Sequence, residues 1–284
     1  MQTSFVSRGL FASAFVCVAM ISACSSSDSP TGTLGSATDS GFLELQPELN
    51  NLLDSINVAM TFGFDSYNEV PTNSNDAEIQ YGPVNPGENN GVTYEYTADG
   101  WHHIIVINDD VNFARAINDS IQFMSSLVVQ QLPSGADLVD FRHHWAVTQW
   151  DQATDYKNIN GDVGFVLSGL LGNVASINGF YGYDVEVNTV VDTTTTNNVF
   201  EFNAAVSNVL VSKSGAQWGP SCPTGGVITF GVIQTKIINN PGSVNTVNVN
   251  WTGTITLSEG VATISLSNGT DTWSYSHNIC GSSN

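Results

Sequence analysis

From about residue 92 to the C-terminus, apolar and polar residues alternate with a period of two. The pattern is clearest where Val247, Val249, Trp251, Gly253, Ile255 and Leu257 interleave with Thr246, Asn248, Asn250, Thr252, Thr254 and Thr256. A period of two sends alternate side chains to opposite faces of a strand, so these segments predict half-buried strands. Glu259-Gly260 and Asn268-Gly269 then set off Val261 to Leu266 and Thr272 to Ile279, which is a hairpin signature. Val92 to Thr97, Asp99-Gly100 and Trp101 to Asn108 repeat it, and Asn160-Gly161 and Asn178-Gly179 read as further turns. Val199 to Val211 and Val227 to Ile237 add more strands. Residues 111–132 stay open between helix and strand. Phe113, Ile117, Ile121, Met124 and Val128 fit a helical stripe, whereas Ile121 and Phe123 alternate, and strands are slightly preferred.

Ahead of the strands the period is helical. Leu49, Leu52, Leu53, Ile56 and Met60 share one face, and Pro47 suits a first turn, so a short helix is expected over Pro47 to Met60. Asp65 to Asn90, rich in Asn, Pro, Gly and acids, reads as a polar loop. Many strands joined by short turns, without βαβ alternation, predict a mainly β fold. The expected architecture is an antiparallel up-and-down meander, closed as a barrel or folded as a sandwich, with one short N-terminal helix.

The first residues follow another logic. Met1 to Arg8 carries a single positive charge, Gly9 to Ile21 is apolar or small, and Ile21-Ser22-Ala23-Cys24 follows. The apolar run is shorter than the roughly 20 residues of a membrane-spanning helix. This arrangement resembles the lipobox signal of bacterial lipoproteins. The resemblance implies cleavage after Ala23 and a diacylglyceryl thioether on Cys24, which would anchor the chain to a membrane of the cell envelope. Two or three acyl chains hold stably where one is marginal. Ser25 directly after the cysteine resembles the outer-membrane sorting pattern of Gram-negative lipoproteins. Residues 24–40 are Ser, Thr, Gly and Asp with one large aliphatic residue, Leu34, and read as a flexible tether. The division expected is therefore a signal peptide over 1–23, a lipid-anchored tether over 24–40, and a single β-rich domain over 41–284.

Charge narrows the partners. The net charge is −20, and it becomes −21 once Arg8 leaves with the signal. Such a chain repels nucleic acid and anionic headgroups, so a nucleic-acid role is not expected. Cys222 and Cys280 are the two cysteines after Cys24. In an oxidising compartment they are expected to pair.

Chemistry-bearing residues are sparse. Assigned by alternation, His103 shares a face with Trp101, His143 with Trp145, and His277 with Trp273 and Tyr275. One reading has these three histidines converging inside a barrel to hold a transition metal or a ligand's polar group, since three imidazoles leave one position open. The other has each as a hydrogen-bonded core histidine. The sequence names no cofactor and contains no Gly-x-Ser-x-Gly, Walker, dinucleotide or His-Glu-x-x-His motif. A non-enzymatic envelope protein is expected. Either it binds a small apolar or amphipathic molecule in a barrel cavity, or it is a structural or protein-interaction lipoprotein. A metal-dependent or carboxylate-based hydrolase is a third reading. Cys24→Ala is expected to abolish lipidation, read as loss of partitioning into the detergent phase. Full partitioning of that variant would refute the anchor.

Overall fold

The computed structural model describes residues 33–81, 90–110, 112–150, 155–213, 215, 217–218 and 222–280. The signal segment and Cys24 lie outside them. The described residues form one compact unit that begins at Thr33. The last part of the 24–40 stretch expected as tether therefore belongs to the fold instead, held by strand pairing of Thr33 and Leu34 and by Asp39 capping the first helix. In chain order its elements are β1 (Thr33–Leu34), α1 (Ser40–Asn68), α2 (Ser74–Tyr81), β2 (Gly91–Tyr96), β3 (His102–Asp110), β4 (Phe113–Ser125) and β5 (Val128–Gln130). There follow β6 (Leu138–Trp150), β7 (Tyr156–Ser168), β8 (Val174–Val191), β9 (Thr194–Ser212), β10 (Pro223–Asn240), β11 (Ser243–Ser258), β12 (Val261–Ser267) and β13 (Asp271–Asn278).

All strands belong to one sheet, ordered β1-β13-β12-β11-β10-β9-β8-β7-β6-β4-β3-β2, with β5 hydrogen-bonded to β4. Every pairing is antiparallel except β1 with β13. The up-and-down meander is therefore present, and the open stretch folds as strands, β4 over Phe113–Ser125 and β5 over Val128–Gln130, joined by a two-residue turn. The shape of the sheet follows from the helix. Asp54 of α1 bonds His277 on β13, and Phe62 of α1 stacks on His143 of β6. Those strands are seven places apart in the sheet, or about 34 Å if it were flat. Asp54 and Phe62 are only about 12 Å apart along the helix axis. The sheet therefore curls around α1. Its outermost strands, β1 and β2, do not pair with each other among the described residues, so the curl stays open.

α1 is longer than the periodicity predicts, 29 residues in place of Pro47 to Met60. Asp39 caps it by accepting from Phe42 N at 2.9 Å, a cap that the polar tether composition hides. Pro47 sits inside the helix. The backbone hydrogen bond it forgoes is offset by the burial of Phe42 and Leu45 on the preceding turns. At the other end the helix continues through Asn68 into the stretch Asp65 to Asn90 expected as a polar loop. A second helix lies within that stretch, so only a short connection of it, Glu69 to Asn73, is loop before α2. There Asn73 Oδ1 accepts from Asn75 N and Asp76 N and starts α2. The buried face of α1 carries Leu45, Leu49, Leu52, Ile56, Met60 and Phe64, all at most 1 % exposed. Lys157 and Lys236 reach inward from β7 and β10 to Glu48 and Glu44 on its first turns.

Two dipeptides read as turns lie inside strands. Asn160-Gly161 is in β7, directly opposite Trp145 on β6. A Cβ on Gly161 would fall 2.0 Å from the Trp145 ring, so glycine is there to receive the indole. Asn178-Gly179 marks a bulge in β8, where Asn178 Oδ1 accepts from Asn208 N at 2.8 Å.

The end of the curl beyond the α1 C-terminus is closed. Trp218 stacks on Phe64 at 5.1 Å, and its backbone N–H donates to Asn68 Oδ1. Cys222 and Cys280 form the expected disulfide across 58 residues, a loop whose closure stabilises the fold by about 4 kcal/mol. Truncating Leu52 to Ala is expected to cost about 2–5 kcal/mol in urea unfolding. Leu43→Ala, at a leucine 50 % exposed on the same helix, is expected to cost within about 0.5 kcal/mol. Equal losses would mean that α1 is not the core of the sheet.

Candidate functional site

The three histidines do not form one site. His143 faces inward as expected. Its Nδ1–H donates to the fully buried Asp119 directly across on β4, and its ring stacks between Phe62, Phe141 and Trp145. His277 also faces the helix, half-buried, with Nε2 2.9 Å from Asp54 Oδ1. His103 does not face inward. It lies on the outer face with Trp101 and bonds Ser120 Oγ at 2.8 Å, while Arg142 sits over the Trp101 ring. The inward histidine of β3 is His102. The reason is visible in the strand. Ile104 and Val106 on one face are as apolar as Ile105 and Ile107 on the other, so alternation does not fix the register, and a slip of one residue swaps the faces. Among the described residues no three His, Cys, Asp or Glu side chains gather as a metal site requires.

The inward aromatics fill the interior. Trp273 stacks on Phe42 at 5.5 Å, touches Trp251, and donates from Nε1 to Ser36 O. Tyr275 meets Phe42 edge-on, and burial raises its phenol pKa. Trp145 packs on Gly161, His143 and Tyr181. The space that a cavity reading gives to a ligand is taken by α1.

A trough of about 660 Å³ opens on the opposite, solvent-facing side of the sheet. Strand register builds it. One row of outward positions across β6 to β10 reads His144, Asp162, Gly182, Asn203, Gly231. Gly182 and Gly231, with Ala205 in the adjoining row, lower the floor on either side of the Asn203 side chain. On one side stands Phe180, 51 % exposed and lying over Gly164, where a Cβ would fall 2.4 Å from its ring. On the other side stand Asn160, Asp184 and Glu201, directly opposite one another on β7, β8 and β9.

A second depression of about 380 Å³ continues from Asn160 and Asp184 to Glu186. Tyr156 Oη, Asn158 Nδ2 and Asn197 Nδ2 all donate to Glu186. The Asn197 bond contributes most to holding its carboxyl below the usual range. Asp184 shifts upward, through burial first and then the facing Glu201. No Lys or Arg lines the trough or its extension among the described residues. The arrangement offers amide and carboxylate partners for neutral hydroxyl or N–H groups, one exposed aromatic ring, and repulsion for anions. The sequence reading missed it.

His102, the inward histidine, ties the edge hairpin to the loop after β5. Its Nε2 lies 2.8 Å from Gln131 O, which can only accept, so Nε2 carries the proton and Nδ1 accepts from Tyr94 Oη. Burial lowers its pKa from the ordinary 6.5, against the opposing effect of the Gln131 carbonyl. Below that value the unfolded chain takes up more protons than the folded one. The stability His102 lends is therefore whole above pH 6.5 and is lost as pH falls towards the depressed folded value. Urea titrations between about pH 7 and 5 are expected to show a smaller loss of stability in His102→Gln than in the parent. An unchanged loss would place the titrating group elsewhere.

The chain matches no protein-family model, and no curated protein or solved structure is similar to it.

Proposed function

We propose that this is a lipid-anchored protein of the bacterial cell envelope that acts by binding, with its outer-face trough holding a small neutral polyhydroxylated ligand such as a saccharide. Anchoring is assigned to the lipid on Cys24, in the outer membrane where the cell is Gram-negative. The observation that carries the binding reading is the trough. It has a floor lowered by glycine and alanine on either side of Asn203, a wall of planar amides and carboxylates, and a solvent-exposed phenyl ring facing that wall. Sugar hydroxyls donate to carboxylates and amide oxygens, and the C–H face of a pyranose packs on an aromatic ring. The missing lysines and arginines disfavour phosphorylated or uronic ligands. No covalent step is assigned to the site.

A structural or protein-interaction role is the second reading, favoured by the outer edge of β2, which pairs only with β3 among the described residues. The test is calorimetric titration of the mature, disulfide-bonded chain with neutral, amino and uronic tetrasaccharides. Binding of at least one neutral probe is expected, weakened about tenfold, or about 1.4 kcal/mol, by Phe180→Ala or Asn203→Ala. Absence of heat with every neutral probe, or equal affinity in both variants, would remove the trough as the binding site.

A further inference from the structure

The two-residue turn between β4 and β5 is unusual in both backbone and side chains. Ser125 pairs with Val128, which leaves Ser126 and Leu127 as the loop, at φ 50° and 66°. A turn with both central residues left-handed suits the twist of a hairpin but normally takes Asn-Gly. For leucine this backbone is strained. Leu127 is also 82 % exposed, the next residue Val128 is 65 % exposed, and Leu132 is 52 % exposed. Leu171, 65 % exposed, lies on the β7–β8 turn. Backbone bonds from Gly169 and Leu170 to Asp137 O hold that turn to the segment entering β6. Neither burial nor local preference explains a leucine at this tip. Strain kept together with exposed apolar surface points to a function.

The side chains around the tip favour a lipid occupant. In a chain of net charge −20, no charged residue occurs from Ser120 to Ala136 or from Val163 to Tyr183, the two segments that supply these turns. The tip is convex and consists of aliphatic side chains, without a fixed pattern of donors and acceptors that a protein partner would read. A bilayer interface asks for apolar volume at the tip itself, and the nearest carboxylates, Asp99 and Asp137, lie at its base. We infer that the Leu127–Val128 tip, with Leu171 on the turn bonded to the same Asp137, inserts into the interface of a lipid bilayer. The inference uses the envelope reading in one respect, that a bilayer is within reach. It does not use the trough, and its test needs no lipid on Cys24.

The flanking charges set the lipid preference. Asp137 Oδ1 accepts from Ser126 N at the base of the turn, and Val129 packs against Gly100, next to Asp99. Two carboxylates beside the tip favour zwitterionic over anionic headgroups.

The test uses the mature chain carrying Cys24→Ser, exported behind a signal peptide without a lipobox so that no acyl chain is present, and floated with phosphatidylcholine vesicles. Co-flotation is expected, weaker when phosphatidylglycerol is added. Leu127→Asn is expected to reduce it at least tenfold while melting at the same temperature or higher, since asparagine tolerates the left-handed backbone. Leu43→Asn, at an exposed leucine on α1, is expected to leave it unchanged. Vesicles that fail to carry the unlipidated chain, or carry Leu127→Asn as well as the parent, overturn the assignment. So does an equal loss in Leu43→Asn. If Leu127→Asn alters only the oligomeric state on a sizing column, the tip is a contact between copies and the bilayer assignment falls.

Discussion

A single-layer sheet of this width has one apolar face to hide, and the packing of that face against α1 is what the rest of the molecule depends on. Two consequences follow from covering one face with one helix. The sheet must curl, because strands seven places apart both touch α1. The other face must be polar, because its described positions lie open to solvent. Strict alternation meets both demands at once. β11 sends Trp251, Ile255 and Leu257 inward and Thr252, Thr254 and Thr256 outward. A chain with only 11 % charged residues solvates its outer face largely with Thr, Ser and Asn, and of these the β-branched Thr is the one that favours a strand.

Alternation and turn chemistry were legible in the sequence wherever one face is clearly more apolar. β11, β12 and β13 with their turns are of that kind, as is the pairing of Cys222 with Cys280. Legibility fails where the local signal is symmetric or serves a distant partner. His102 and His103 exchanged faces because β3 is apolar on both. Asn160-Gly161 imitates a turn, but its glycine answers a tryptophan on the neighbouring strand. The helix was cut short at its start because Asp39, its cap, sits in a stretch whose composition is that of a linker. Pro47 looked like a first residue because the local signal cannot tell a tolerated proline from an initiating one.

The trough was illegible for a different reason. It is defined by where side chains are missing across five strands, and glycine in a strand usually signals a bulge or a close packing partner. Gly182 and Gly231 gain meaning only when register brings them into one row. Phe180 points outward in a strand whose other large residues, Tyr181 and Tyr183, point inward. In the sequence that run is three aromatics separated by one glycine, with nothing to show which of them reaches solvent. The site is a property of strand pairing, and pairing over such separations is what a local reading lacks.

The same dependence explains how the fold sustains a strained leucine. A two-residue turn with an unfavourable side chain would open if only its own short ladder held it, since β5 pairs β4 over just three residues. The turn is fixed from outside instead. Ser126 N–H is taken by Asp137, Asp137 N–H by Met124 O, and the loop beyond β5 by His102 at Gln131 and Tyr67 at Ala136. Tyr67 belongs to the last turn of α1, so the helix that fills the curl also pins the segment behind the tip. Rigidity supplied by the closed end of the molecule is what permits an exposed, left-handed leucine to persist there without collapsing onto the sheet.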